Sequence, residues 1–365
     1  MFSKTPRNMA ASEAADVWVL TGPHKGDNNQ VLTLAEALGR PFRVIEMRYG
    51  KLAHLTALRR AASLSGLTQE ARSEIGPPWP SLVLGIGQRS GPVARYIKEQ
   101  SGGRTKIVRL GDPMAPPRLF DLVITTTQYA VPDAPNVVRL PITITSTDDG
   151  RADPFEDRWL EAFARPRRLL VIGGKTSLWR FDPSVITGAI AGLKRRTELE
   201  GGSIIAVSSP RTSPGLLAAA KSGLGEKAVV TGPFPRYNSL LSAADEIHVT
   251  GDSVSMLSDA VASRRPVGLV PLQPDIVAGL VQLIGIMRGK PLRLRDLGKF
   301  WDDLRYRGLV GTIDQPRSGA LEISPMDAAV AAIRAVMDDR LPEPASPSRL
   351  APAFPRVAKA APAAG

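Results

Sequence analysis

The sequence predicts an α/β protein of two Rossmann-like domains in tandem, and three observations predict it. Short runs rich in Val, Ile and Leu alternate with segments of helical periodicity, the mark of a mostly parallel sheet covered by helices. The alternation runs once, breaks over the polar residues 142–166 and restarts at Arg167. A chain of 365 residues is also long enough for two domains of ordinary size. The boundaries follow: residues 1–15 as a flexible N-terminus, 16–150 as the first domain, 151–166 as a linker, 167–326 as the second domain, 327–341 as a C-terminal helix and 342–365 as a disordered tail.

In the first half, DVWVL (16–20) is the opening strand and the polar segment TGPHKGDNNQ (21–30) reads as a loop. VLTLAEALG (31–39) then puts Val31, Leu34, Ala35 and Leu38 on one helical face, with Gly39 as its stop. FRVIEM, SLVLGIG, KIVRL, DLVITTT and NVVRLP read as strands, and GPVARYIKEQ as a helix between two of them. The second half opens with the strand RRLLVIGG (167–174) and the helix SVITGAIAGLKRRTELE. SIIAVSS (203–209), KAVVTG (227–232), EIHVTGD and PVGLVPL are its further strands. GLLAAAKSGL, NSLLSAAD and SVSMLSDAVASRR are the helices between them. Two more helices follow, around IVAGLVQLIGIMRGK and LRDLGKFWDDLRYR, and DAAVAAIRAVMDDRL is the last. The Pro- and Ala-dominated tail buries too little apolar surface to offset its ordering entropy.

Composition narrows the function. No apolar run reaches the ~18 residues that span a bilayer. The first residues have no apolar stretch before Val17, so they do not read as a secretory signal. The sequence contains no cysteine, which removes thiol nucleophiles, disulfides and Cys-type zinc sites. The three histidines, His24, His54 and His248, are too scattered to suggest a metal site, and none is expected. The net charge of +12 favours anionic partners: nucleotides, or the surface of an anionic membrane. Nucleic acid ranks last, because aromatics are 5% and no aromatic-plus-glycine RNA signature occurs. The expected compartment is the cytoplasm, extending to peripheral contact at the inner face of the membrane.

Ligands of open α/β sheets sit outside the carboxyl ends of the strands, so the loops there carry the candidate chemistry. In GGKTSLWRF (173–181), Gly173 and Gly174 let a ligand near the backbone, while Lys175 and Thr176 offer a charge and a hydroxyl. Its spacing is not that of a P-loop, and a tight turn is the competing reading. In SSPRTSPG (208–215), Arg211 suits a phosphate and Ser208 and Ser209 add neutral donors; an ordinary polar turn competes. In GPFPRYNSLLSAAD (232–245), Phe234 or Tyr237 packs against a base or simply forms wall.

GDSVSMLSDA (251–260) is the fourth loop. Gly251 ends a strand, and Ser253 caps a helix whose open first-turn N–H groups suit a diphosphate. Ser255 adds a hydroxyl, Asp259 is placed for a ribose, and Asp252 belongs to the turn. In the first half, HKGDNNQ brings His24, Gly26, Asp27, Asn29 and Gln30 to face the ligand across the cleft. GQRSGP offers Arg89 and Ser90, and Asp112 reads as structural.

Taken in order, GDNNQVLTLAEALG, RSGPVARYIK, GDPMAPPRLFDLVI, LLVIGGKTSLWRF, SSPRTSPG and VTGDSVSMLSDAVASRRPV resemble the mitochondrial-fission-protein family. Its founding members are plant fission factors, and its bacterial members look like glycosyltransferases of the GT-B fold. The resemblance runs from about Val17 to about Gly311. It implies two facing Rossmann-like domains, with the acceptor against the first and a nucleotide-diphosphate sugar on the second. Gly173, Gly174, Ser208, Arg211, Ser253, Ser255 and Asp259 then become donor-site candidates, with no cofactor and no metal at the diphosphate. Many relatives carry a histidine in a G-H-x-x-Q arrangement, where this chain has Gly26-Asp27-Asn28-Asn29-Gln30. Asp27, or His24 three residues earlier, is therefore the expected general base.

The reading is an inverting transfer to a cell-envelope glycan, glycolipid or lipopolysaccharide core. The mixed Trp, Phe and Arg residues of LRLRDLGKFWDDLRYR suggest a face for an anionic membrane, against the alternative of a core-packed helix. A non-enzymatic membrane adaptor is the second reading. A sugar-nucleotide epimerase is disfavoured, because G-x-G-x-x-G and a Tyr-x-x-x-Lys pair are absent after the first strand.

Overall fold

The computed structural model describes residues 15–50, 62–87, 89–145, 153–174, 176, 178–287 and 295–341. The tail 342–365 and all but one residue of the N-terminal segment lie outside the described residues, as does Lys175. The first domain holds β1 (Val17–Thr21), β2 (Phe42–Glu46), β3 (Leu82–Ile86), β4 (Lys106–Leu110), β5 (Leu122–Thr125) and β6 (Val137–Arg139), with α1 (Lys25–Leu38), α2 (Gln69–Ser73) and α3 (Ser90–Gln100). Its sheet is parallel, in the order β2-β1-β3-β4-β5-β6, and Val19 pairs in register with Val44 on one side and Leu84 on the other.

The second domain holds β7 (Arg167–Ile172), β8 (Trp179–Arg180), β9 (Ser203–Ser208), β10 (Val229–Val230), β11 (Glu246–Thr250), β12 (Val267–Val270) and β13 (Gln273–Pro274). A parallel sheet runs β10-β9-β7-β11-β12, while β8 and β13 form a separate antiparallel pair. Its helices are α4 (Pro154–Glu161), α5 (Pro183–Glu200), α6 (Pro214–Leu224), α7 (Tyr237–Ala243), α8 (Val254–Ala262), α9 (Ile276–Met287) and α10 (Leu297–Tyr306); α11 (Pro325–Met337) follows. Both sheets are covered on both faces, which is why their central strands are apolar without alternation: β1 and β3 are buried at every position. The molecule is thus two Rossmann-like domains in a GT-B-like arrangement.

Four segments depart from the sequence reading. The loop 21–30 ends early, because α1 already begins at Lys25. Asp27 sits favourably in the positive first turn, and the Asn28 amide bonds back to both backbone groups of Gly22, at 2.9 and 2.7 Å. The linker 151–166 contains α4, started by a capping box in which Asp153 accepts from the N–H groups of Phe155 and Glu156 while Glu156 accepts from that of Asp153. Leu160 joins the second core, and bonds from Arg236, before those from Ser239 and Asp153, hold the Glu156 carboxyl down at about 2. The final helix starts at Pro325 and returns to the first domain, packing Ala329, Val330 and Ile333 into the core around β1, β3 and β4.

The fourth concerns the helix read as a membrane face. In α10, Phe300, Trp301 and Leu304 are buried in the second core, so its apolar side is already used. The exposed apolar helix is α9, where Ile276 is 86% and Val277 73% exposed, with Leu280, Val281 and Ile284 exposed too. No helix among the described residues is long and apolar enough to cross a membrane.

Candidate functional site

The chain crosses between domains at Ile142-Thr143-Ile144: Ile142 enters the second core, Ile144 the first, and the Thr143 N–H donates to the Ser258 hydroxyl at 3.1 Å. Beside this crossing lies a cavity of about 540 Å³ at the carboxyl ends of β1, β3, β4 and β5, with the start of α8 on its far side. The sheet order reverses at β1, so the loops after β1 and β3 part there and leave a crevice.

His24 at the N-cap of α1, with Asp27, Asn28 and Gln30 on its first turns, lines the cavity, and His24, Asp27 and Asn28 share a face at helical spacing. Gly26 and Asn29 are exposed and do not line the cavity. His24 is the N-cap but gives no side-chain cap bond. Helix α3 likewise starts at Arg89 without a side-chain cap, and the Arg89 guanidinium lies over the Tyr49 ring at 5.0 Å. Arg89 and Tyr49 both line the cavity. Ser90 does not: it is fully buried, its hydroxyl donates to the Ile86 carbonyl at 2.9 Å, and it accepts from Arg109. Its hydroxyl secures the start of α3 rather than facing a ligand.

Arg109 escaped the sequence reading. It is 1% exposed, and its guanidinium donates to Ser90 and to the Gly87 carbonyl just behind the cavity wall. Burial pulls its pKa down to about 10, opposed by Tyr49, Asp112 and Asp27, so it stays cationic at neutral pH. The signal was an arginine inside the apolar strand KIVRL. Gln128, Tyr129 and Arg295 also line the cavity unforeseen, with Arg295 stacked over Tyr129 at 5.8 Å. Asp112 lines it too while capping the Met114 N–H at 2.8 Å.

From the second domain, Val254 and Ser255 reach the cavity at the first turn of α8. Ser253 is the N-cap and accepts from the Met256 N–H at 3.5 Å. Asp259 follows Ser255 by four residues and so shares its helix face, but it does not line the cavity, and its charge is felt at Tyr237. Burial raises its pKa to about 7. Its charge, after burial itself, pushes the Tyr237 phenol upward.

The remaining donor-side candidates bind one another. The N–H of Gly173 donates to Thr250 at 2.9 Å and that of Gly174 to Asp252 at 2.7 Å; Thr250 donates to Asp252 at 2.7 Å. Burial raises the Asp252 pKa against those two bonds. Thr212 accepts from the Ser209 N–H and donates to the Gly173 carbonyl, while Ser208 donates to that of Val230. A Cβ on Gly173 would overlap the Asp252 carboxylate, and one on Gly174 the Arg211 backbone. The close approach these glycines permit is therefore of loop to loop. A Cβ on Gly251 would strike Trp301, whose indole N–H donates to the Gly251 carbonyl at 3.0 Å. Arg211 is exposed and does not line the cavity, but is near enough to lower the Asp252 pKa, and Thr176 follows the Gly-Gly turn.

Residues 25–336 match the family model described as Mitochondrial fission ELM1. The chain belongs to that family. No curated protein matches the sequence. Among solved structures, the putative UDP-N-acetylglucosamine 2-epimerase from Listeria monocytogenes is 13% identical, with 91% of this chain and 99% of that one covered and a TM-score of 0.53. Another UDP-N-acetylglucosamine 2-epimerase is 13% identical over the same shares at a TM-score of 0.50. The calicheamicin glycosyltransferase CalG4 is 12% identical, with 90% and 99% covered, at 0.44. At such identities the likeness is one of fold.

Proposed function

We propose that this protein is a GT-B glycosyltransferase that moves a sugar from a nucleotide-diphosphate sugar to a hydroxyl of a cell-envelope glycan or glycolipid, with inversion. One observation supports it above the rest: a carboxylate and an imidazole on α1 share one chamber with the N-terminus of α8 from the other domain. In the reaction, the acceptor oxygen attacks the anomeric carbon as Asp27, or alternatively His24, takes its proton. The bond from that carbon to the diphosphate oxygen breaks, and the nucleoside diphosphate leaves with the electron pair. The open N–H groups and positive dipole end of α8, with Ser255 and with the basic candidates Arg211 and Lys175, stabilise that charge without a metal or cofactor. Titration calorimetry with UDP, GDP, ADP, CMP and TDP tests the donor claim, which fails if none binds at millimolar concentration. For the binder found, Asp27→Asn is expected to lower turnover about 10²–10⁴-fold and leave nucleotide affinity intact. Conversion of the sugar nucleotide with no acceptor present would mark an epimerase instead.

The exposed apolar face of α9 supports a second reading, a membrane adaptor that works without catalysis. Flotation with anionic vesicles tests it: the adaptor reading requires binding that survives Asp27→Asn and weakens with a charge placed at Val277.

A further inference from the structure

The first-domain side of the cavity holds two unused polar groups. Gln128 is 3% exposed, and its amide N–H donates to Thr126 at 2.9 Å, while its carbonyl oxygen has no partner. The Thr143 hydroxyl is buried and partnerless as well. Both residues line the cavity. A buried polar atom left alone costs about 1–3 kcal/mol, so such a pair marks a place where a ligand completes the bonding. A hydroxyl suits both residues, since it donates and accepts, whichever end of the Gln128 amide faces inward.

Cations from both domains line the same cavity. Arg89 over Tyr49 and Arg295 over Tyr129 line it as two arginine–tyrosine stacks, and the N-termini of α1 and α3 open on it without side-chain caps. Asp27 and Asp112 are the acids present, and the buried Arg109 adds a third cation behind them. Two uncapped helix ends with two planar guanidinium groups suit a phosphate or carboxylate.

We infer that the acceptor is a sugar bearing an anionic substituent, with a hydroxyl bonded to Gln128 and Thr143 and its anionic group between Arg89 and Arg295. This deepens the transferase reading by naming the acceptor class, and rests on it for the role of acceptor. Gln128 is a specificity-determining residue in this assignment, because a ligand without the hydroxyl leaves its amide unpaired.

Ligand-observed NMR titration of the full chain with glucose 6-phosphate, glucuronate, glucose and inorganic phosphate tests it, with no nucleotide present. Glucose 6-phosphate or glucuronate is expected to bind at least about tenfold more tightly than glucose or phosphate. The stronger of the two identifies the anion as phosphate or carboxylate. Arg295→Gln should remove the advantage over glucose, and Gln128→Met the advantage over phosphate. The apo melting temperature of Gln128→Met should hold or rise, because an orphaned polar group is gone; a fall would mark Gln128 as structural and overturn the assignment. Equal binding of glucose and both anionic sugars would overturn it too. Nucleotide binding is measured separately, so failure here and failure of the donor claim remain distinct.

Discussion

The loops at the strand ends of the two domains are built to opposite plans. In the second domain, Gly173, Gly174, Thr250, Asp252, Ser209 and Thr212 spend their polar groups on one another. In the first, Gln128 and Thr143 line the cavity and keep polar atoms unpaired. Both sets of loops are polar and glycine-containing in sequence. The difference teaches that such a loop holds either its neighbour or a ligand, and that the partner of each polar atom decides which. The second domain offers the cavity the first turn of α8 and the Arg295 guanidinium, so its loops at the strand ends act as a frame that aims that helix.

The most severe way to break this comparison is Gly173→Ala. The added methyl displaces the Asp252 carboxylate and with it the bonds to Gly174 and Thr250. A frame predicts a loss of about 2–4 kcal/mol in urea unfolding. A loop that merely holds ligand predicts unchanged stability with weaker nucleotide binding, and that outcome would sink the frame.

The same contrast explains what was legible in the sequence. The two sheets were legible because strands buried on both faces are continuously apolar, as in VWVLT and LVLGI. Helix α4 was hidden by the polar residues around it, although its capping box stands in the letters DPFE. The first turns of α1 were hidden by Gly26 and two asparagines, residues that favour turns until tertiary bonds such as those of Asn28 settle the matter. His24, Asp27, Gln30, Arg89 and Ser255 were named and do line the cavity. Gln128 and Thr143 were not, because lacking a partner is a property of packing that no local pattern encodes.

Asp259 stands apart from the mutually bonded loops of the second domain, since nothing but burial moves its pKa, to about 7. An ordinary aspartate titrates near 3.9 unfolded. Between those values the unfolded chain holds fewer protons than the folded one, so stability falls as pH rises from about 4 to about 7. Asp259→Asn should remove that loss. In urea unfolding it is expected to gain about 2–3 kcal/mol over wild type on going from pH 5 to pH 8. A gap that stays constant across this range would place Asp259 among the satisfied groups of its domain.

The finest test separates two serines two residues apart. Ser253 closes the cap of α8 on Met256, at the long distance of 3.5 Å, whereas Ser255 lines the cavity. The comparison therefore divides frame from site inside a single helical turn. Ser253→Ala should cost about 0.5–1 kcal/mol of stability. Ser255→Ala should leave unfolding within about 0.5 kcal/mol and weaken the nucleoside diphosphate by roughly three- to tenfold, one neutral hydrogen bond. Because the two effects are read by different measurements, a reversal is unambiguous. If Ser253→Ala lowers affinity and Ser255→Ala lowers stability, the diphosphate lies at the cap rather than in the cavity, and the boundary between frame and site moves one residue pair toward Gly251.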